Sequence, residues 1–145
     1  MNNFLIVDNE RIICDGMRQA LKKAGLFNVF VAYDGIQALS IIKEKNIKAM
    51  ILDIAMPDMN GVELMKELSR LGLKPVTVIV SGYDEFEYAK EALSYGAIDY
   101  ILKPLDTDDV IEIGKKMLKL IEQQEIQKQE TDKLRKFVLE NMESI

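Results

Sequence analysis

Asp8, Asn9, Asp53, Ser81 and Lys103 are the residues of this sequence whose types and setting suit chemistry, because they follow directly on short apolar runs. Two carboxylates and an amide oxygen suit a hard cation such as Mg²⁺, which takes a few oxygens and keeps its waters. A carboxylate can attack phosphorus and form an acyl phosphate, provided that something screens its repulsion from the incoming anion. A cation and the Lys103 ammonium would supply that screening, and the Ser81 hydroxyl can donate to a phosphoryl oxygen. Each residue also has a plainer explanation: Asp8 as a helix N-cap, Ser81 as a turn residue, Lys103 as a solvated lysine. Asp53, at the end of a buried strand, is harder to dismiss, because a carboxylate there needs a partner. Coincidence on four strands at once is improbable, so the shared site is the stronger reading.

The elements that must position these residues are five apolar runs alternating with helix-period segments. The runs are Phe4-Leu5-Ile6-Val7, Val29-Phe30-Val31-Ala32, Ala49-Met50-Ile51-Leu52, Val76-Thr77-Val78-Ile79-Val80 and Ile98-Asp99-Tyr100-Ile101-Leu102. Several are apolar without alternation, as in central strands covered on both faces. Between them, Ile13, Met17, Ala20, Leu21 and Ala24 share one helical stripe, as do Leu64, Met65, Leu68 and Leu71. Gly25, Gly72 and Gly96 each follow a helical pattern, where a left-handed cap favours glycine. Asn60 with Glu63 reads as a capping box and Asp106 as an N-cap. The order β-α, five times over, implies a parallel sheet with helices on both faces and right-handed crossovers. In such a sheet ligands collect outside the carboxyl ends of the strands. The first, third, fourth and fifth strands deliver Asp8-Asn9-Glu10, Asp53, Ser81-Gly82 and Lys103-Pro104 to that edge, while Tyr33-Asp34-Gly35 after the second reads as a turn and helix start.

From about Ile113 the composition changes. Ile113, Met117, Leu120, Gln124, Gln127, Thr131, Leu134, Val138, Asn141 and Ile145 keep a 4-3 spacing with four polar members, so a coiled-coil seam there would be weak and easily switched. A solvated helix running off the domain is the equal alternative.

Composition excludes several function classes. The 145 residues contain one cysteine, Cys14, and no histidine, which rules out an internal disulfide framework, His-dependent catalytic pairs and His-ligated zinc. A net charge of −5 does not suit nonspecific nucleic-acid binding. The apolar runs are too short for a membrane span, and Met1-Asn2-Asn3-Phe4 lacks the basic start of a signal peptide. A chain of this length buries roughly 70% of its unfolded surface without staples. The expectation is a cytoplasmic domain that binds neither nucleic acid nor membrane by itself.

The motifs Ile6-Val7-Asp8-Asn9-Glu10, Leu52-Asp53-Ile54-Ala55-Met56-Pro57, Val80-Ser81-Gly82 and Leu102-Lys103-Pro104, in this order, resemble the receiver domain of two-component response regulators. The resemblance covers roughly residues 1–118. It implies a flavodoxin-like (βα)5 doubly wound parallel sheet of strand order 2-1-3-4-5, here with an extended C-terminal helix, 119–145 being a helical linker toward an output domain. It implies further that Asp53 is phosphorylated by a sensor histidine kinase, that Asp8, Asn9, Asp53 and the Ala55 backbone carbonyl bind Mg²⁺, and that Ser81 and Lys103 hold the phosphoryl group. Tyr100 matches the family's switch aromatic, which turns inward and reshapes the face made by the fourth helix, fifth strand and fifth helix. From packing alone, Tyr100 is an edge-strand aromatic. A cis bond before Pro104 is also implied. The segment Ser81-Gly82-Tyr83-Asp84-Glu85-Phe86-Glu87-Tyr88-Ala89-Lys90-Glu91-Ala92-Leu93 is similar to receivers attached to AraC-type helix-turn-helix domains, and Leu134-Arg135-Lys136-Phe137-Val138 resembles their linker. The tail helix and the Tyr100 face are two candidate homodimer surfaces. Tyr83 is the residue expected to shield an acyl phosphate from water.

One position departs from the family: Asn9 stands where a second aspartate is usual. The lost charge, at about 4 Å and an effective dielectric of about 20, is worth roughly 4 kcal/mol of attraction per unit of cation charge. Glu10 is placed to compensate. The competing reading is therefore a pseudo-receiver, an interaction or dimerisation module with a weakened metal site. A haloacid-dehalogenase-type phosphatase would need a general acid where this chain has Ala55, and flavin binding is disfavoured by the anionic Asp8-Asn9-Glu10 turn.

Overall fold

The computed structural model describes residues 2–142. Its elements are β1 (Asn3–Val7), α1 (Arg11–Lys23), β2 (Val29–Ala32), α2 (Gly35–Glu44), β3 (Ile47–Asp53), α3 (Gly61–Leu71), β4 (Val76–Ser81), α4 (Phe86–Ser94), β5 (Asp99–Leu102) and α5 (Thr107–Met142). The five strands form one sheet in the order β2-β1-β3-β4-β5, and every pairing is parallel. This is the expected doubly wound sheet with a long last helix.

The side-chain period of two along each strand divides the apolar residues between two cores. Phe4, Ile6, Ala49, Ile51, Val76, Val78 and Val80 face a layer built with Cys14, Met17, Leu21, Val110, Ile113 and Met117 of α1 and α5. Leu5, Val7, Met50, Leu52 and Ile79 face the other way, onto Ala38, Ile42, Leu64, Leu68 and Ala89 of α2, α3 and α4. Central strands therefore cannot alternate apolar with polar residues, which accounts for the uninterrupted runs. Gly114 is buried where α5 meets α1; a Cβ there would stand 2.7 Å from Leu21 Cδ2.

The local signals for ends act as expected. Asn60 Oδ1 accepts from the Glu63 N–H at 2.9 Å and the Glu63 side chain returns to the Asn60 N–H, completing the capping box. Asp106 and Asp109 cap the start of α5 reciprocally, at 2.8 and 3.0 Å. Gly25, Gly72 and Gly96 all have positive φ.

Three details differ from the sequence reading. The buried stripe of α1 is Cys14, Met17, Ala20 and Leu21, whereas Ile13 is 37% exposed at its margin. Both phases fit helical spacing, and docking against α5 chose the one that puts Cys14 inside. Ile98 precedes β5, although its N–H reaches Thr77 O at 2.8 Å. Ile113 and Met117, the first members of the 4-3 series, are used up in the core, and Ile121 is the last buried residue of α5. Met1 and the last member, Ile145, lie outside the described residues. No helix among the described residues is long and apolar enough to cross a membrane.

Candidate functional site

Four neighbouring strands end at one edge, and each brings a polar side chain there. Asp53 and Ser81 are the final residues of β3 and β4, Asp8 follows β1, and Lys103 follows β5. Adjacent strands lie about 4.8 Å apart, so the order β1-β3-β4-β5 aligns Asp8, Asp53, Ser81 and Lys103 side by side. Backbone bonds fix the ends: Asp8 N–H donates to Ala32 O at 3.1 Å, Ile54 N–H to Val80 O at 3.0 Å, and Lys103 N–H to Ser81 O at 2.8 Å.

Lys103 Nζ joins the two carboxylates. It stands 3.4 Å from Asp8 Oδ2 and 3.2 Å from Asp53 Oδ2. Asp8 and Asp53 are 1% and 4% exposed, so both negative charges are held away from water with one ammonium between them. The other oxygens take backbone donors, Asp8 Oδ1 from Glu10 N–H at 2.9 Å and Asp53 Oδ1 from Ala55 N–H at 3.3 Å. Asp8 is thus not the N-cap of α1; that place belongs to Glu10. Burial, then the neighbouring Asp8 charge, pushes the Asp53 carboxyl from 3.8 up to about 6, although Lys103 pulls it down. Burial works against the Lys103 charge, but Asp53 and Asp8 outweigh it and hold the ammonium above its usual range.

Ser81 is fully buried, and its Oγ has no hydrogen-bond partner among the described residues. Buried hydroxyls are rarely left so. An unpartnered donor at a strand end flanked by the strands that carry an ammonium and a carboxylate suits an anionic oxygen.

The donor set also fits a hard divalent cation: two buried carboxylates with solvent-facing Asn9 on the rim and backbone oxygens nearby. Among the described residues no three acidic, His or Cys side chains converge, so the exposed Glu10 does not make up for Asn9 here. Ala55 is exposed in the loop after β3. The start of α3 presses on that loop, and a Cβ on Gly61 would stand 2.9 Å from Ile54 Cα and 3.0 Å from Asp53 O.

Tyr100 lies half-buried on edge strand β5, its ring edge-to-face with Phe86 of α4 at 6.0 Å and 71°. The Lys103–Pro104 bond is cis, as the resemblance implied. Tyr83 is 89% exposed and shields nothing in this conformation, because the loop after β4 turns it outward. That loop is tied by Glu85, whose Oε1 accepts from Gly82 N–H at 3.2 Å. The sequence reading gave Glu85 no role; its only signal was a carboxylate three residues after a glycine. Cys14 was likewise read only as a lone thiol, yet its Sγ donates to Asp8 O at 3.3 Å from beneath the site.

Residues 4–115 match the family of the response regulator receiver domain. The chain is 37% identical over 127 residues to the transcriptional regulatory protein HptR of Staphylococcus aureus, covering 86% of this chain and 50% of that protein. It is 34% identical over 137 residues to the Bacillus subtilis transcriptional regulatory protein YesN, covering 93% of this chain and 37% of that protein. The chain thus spans about half the length, or less, of these curated relatives. Among solved structures, the REC domain of AraT, a response regulator from Geobacillus stearothermophilus, superposes with a TM-score of 0.75 at 33% identity, covering 85% of this chain and 97% of that one. A CheY-like receiver domain from Methanospirillum hungatei gives 0.77 at 31% identity, covering 86% and 98%.

Proposed function

The chain belongs to the response regulator receiver domain family, and from that premise we propose that it is a phosphorylation-activated switch whose acceptor is Asp53. The observation that carries this reading is the buried Ser81 Oγ, unpartnered among the described residues, at the end of the strand that lies between those leading to Asp53 and Lys103, which are themselves ion-paired. Asp53 Oδ attacks the phosphorus of a phosphohistidine on a sensor histidine kinase. The new O–P bond forms as the P–N bond breaks, and the bonding pair returns to the imidazole nitrogen. Lys103 stays at the site and binds a phosphoryl oxygen, and Ser81 Oγ donates to another. Asp8, Asn9, Asp53 and the Ala55 carbonyl are the groups that would hold Mg²⁺, which when bound neutralises charge on the phosphoryl oxygens.

The output is a change of surface. Movement of Ser81 toward the phosphoryl group opens room behind β4, Tyr100 leaves the edge of Phe86 and turns inward, and the face formed by α4, β5 and α5 is reshaped. Residues 1–118 form the receiver and 119–145 a helical linker to an AraC-type DNA-binding domain, in a cytoplasmic regulator of transcription. A second copy would be met through the tail helix or the α4-β5-α5 face. Receiver domains are signalling domains rather than conventional enzymes, so self-phosphorylation and self-dephosphorylation here are at most slow.

Asn9 favours one second reading, a pseudo-receiver that serves only as an interaction module. Intact-protein mass after incubation with acetyl phosphate and Mg²⁺ separates the two. Gain of one phosphoryl group by wild type and none by Asp53→Asn supports the switch. An unmodified wild type beside a labelled Asn9→Asp establishes the pseudo-receiver.

A further inference from the structure

Beyond Ile121 the last helix leaves the body, and every residue from 122 to 142 is exposed. These residues make a rod of about 30 Å. Helices in water draw most of their stability from packing an apolar face, and this one carries an exposed apolar face that no other element among the described residues covers. Leu134, Phe137, Val138 and Met142 are 64, 63, 47 and 62% exposed.

The spacing says what fits there. Leu120, still against the body, then Gln127, Leu134 and Asn141 occupy one core position of a heptad, and Gln124, Thr131 and Val138 the other. Glu130 and Phe137 then flank the core on one side, with Lys128, Arg135 and Met142 on the other. Ile126 and Leu139 fall outside the stripe. In a parallel, in-register pair, a residue of the first flank faces the residue five places on in the second helix. Glu130 thereby meets Arg135 of the second copy, opposite in charge, and Phe137 meets its Met142, apolar against apolar. An antiparallel pair in full overlap would instead set Lys128 against Arg135, like against like. The pattern is complementary to itself in one orientation.

We propose that the tail helix binds the same helix of a second copy of this chain as a parallel, in-register two-stranded coiled coil, centred on Leu134 and Val138. Gln124, Gln127, Thr131 and Asn141 keep it weak and fix its register. The proposal builds on the reading of 119–145 as a linker, and it names the partner and orientation that this reading leaves open.

Sedimentation velocity of the whole chain from micromolar to millimolar concentration tests it. A concentration-dependent dimer is expected, weakened at least about tenfold by Leu134→Glu or Val138→Glu, at sites too exposed to threaten folding. Arg135→Glu should weaken it and Glu130→Arg in the same chain restore it. Gln127→Cys should cross-link to its own counterpart on mild oxidation, whereas Gln129→Cys, on the outer face, should not. A monomer throughout, a dimer indifferent to Leu134→Glu and Val138→Glu, or cross-linking through Gln129→Cys instead overturns the proposal. Phosphoryl labelling of Asp53 on the same samples reads the receiver function separately. Labelling without a dimer sinks the coiled coil alone, and a dimer without labelling supports the coiled coil while sinking the switch.

Discussion

Replacing Asp53 with asparagine should make the protein more stable, and only in the pH range where the aspartate is charged. Asp53 is 4% exposed, lies beside Asp8, and has its carboxyl pushed from 3.8 to about 6. An acid whose folded pKa is raised binds its proton more tightly in the folded state, so its stabilisation is fully present below the unfolded value. It is lost as pH rises through the folded value. Moving a carboxyl from 3.8 to about 6 corresponds to about 3 kcal/mol. That loss is complete at about pH 7.5, and roughly half of it has already accrued at about pH 5. The introduced amide cannot ionise and is nearly the shape of the protonated acid. Asp53→Asn should therefore exceed wild type by up to about 3 kcal/mol at about pH 7.5 and by about half that at about pH 5. Urea slopes of about 1–3 kcal/mol per molar would then move the midpoint by at least about 1 M at the higher pH. The assay is urea unfolding followed by circular dichroism, at both pH values and with chelator present so that no metal contributes. A variant no more stable than wild type at the higher pH, or one with the same margin at both, would refute the argument that burial and Asp8 together outweigh Lys103.

Three further outcomes are expected. Asn9→Asp adds a carboxylate on the rim of the site, and with roughly 4 kcal/mol of extra attraction per unit of cation charge the Mg²⁺ concentration for half-maximal labelling should fall at least about tenfold; a titration with acetyl phosphate reads it. Gly61→Ala forces a Cβ against Ile54 Cα at 2.9 Å and Asp53 O at 3.0 Å, backbone atoms with little room to give, so it should cost about 1–3 kcal/mol in thermal or urea unfolding and slow Asp53 labelling. Cys14 is fully buried, donates to Asp8 O, and has its thiol pushed up to about 11. The thiolate is the reactive form, so Ellman's reagent at about pH 7.5 should label it only after denaturant is added.

Much of the site was readable because its signals are local in sequence. Apolar runs mark strands, a residue just past a run in a parallel sheet lies at its carboxyl edge, and so Asp8, Asp53, Ser81 and Lys103 could be assigned to one edge without coordinates. The capping box at Asn60 and Glu63 and the cap at Asp106 are likewise three-residue patterns that need no distant partner. Asn9 and the 4-3 spacing of the tail stand in the sequence itself. Other properties depend on neighbours from remote elements. Whether Ile13 or Cys14 goes inside was settled when α1 docked on α5, because two phases of the helix satisfy the same periodicity. That Lys103 joins two carboxylates needs strand ends 50 and 95 residues away, and the raised Asp53 carboxyl needs both the low dielectric of the edge and Asp8 within reach. The isolation of Ser81 Oγ and the outward turn of Tyr83 depend on how the loop after β4 closes through Glu85. Sequence determined which residues reach the edge, since the apolar runs mark where each strand ends and, in a parallel sheet, those ends share one edge. Tertiary structure alone decided their charge, burial and partners, since desolvation and electrostatic coupling are properties of the assembled neighbourhood.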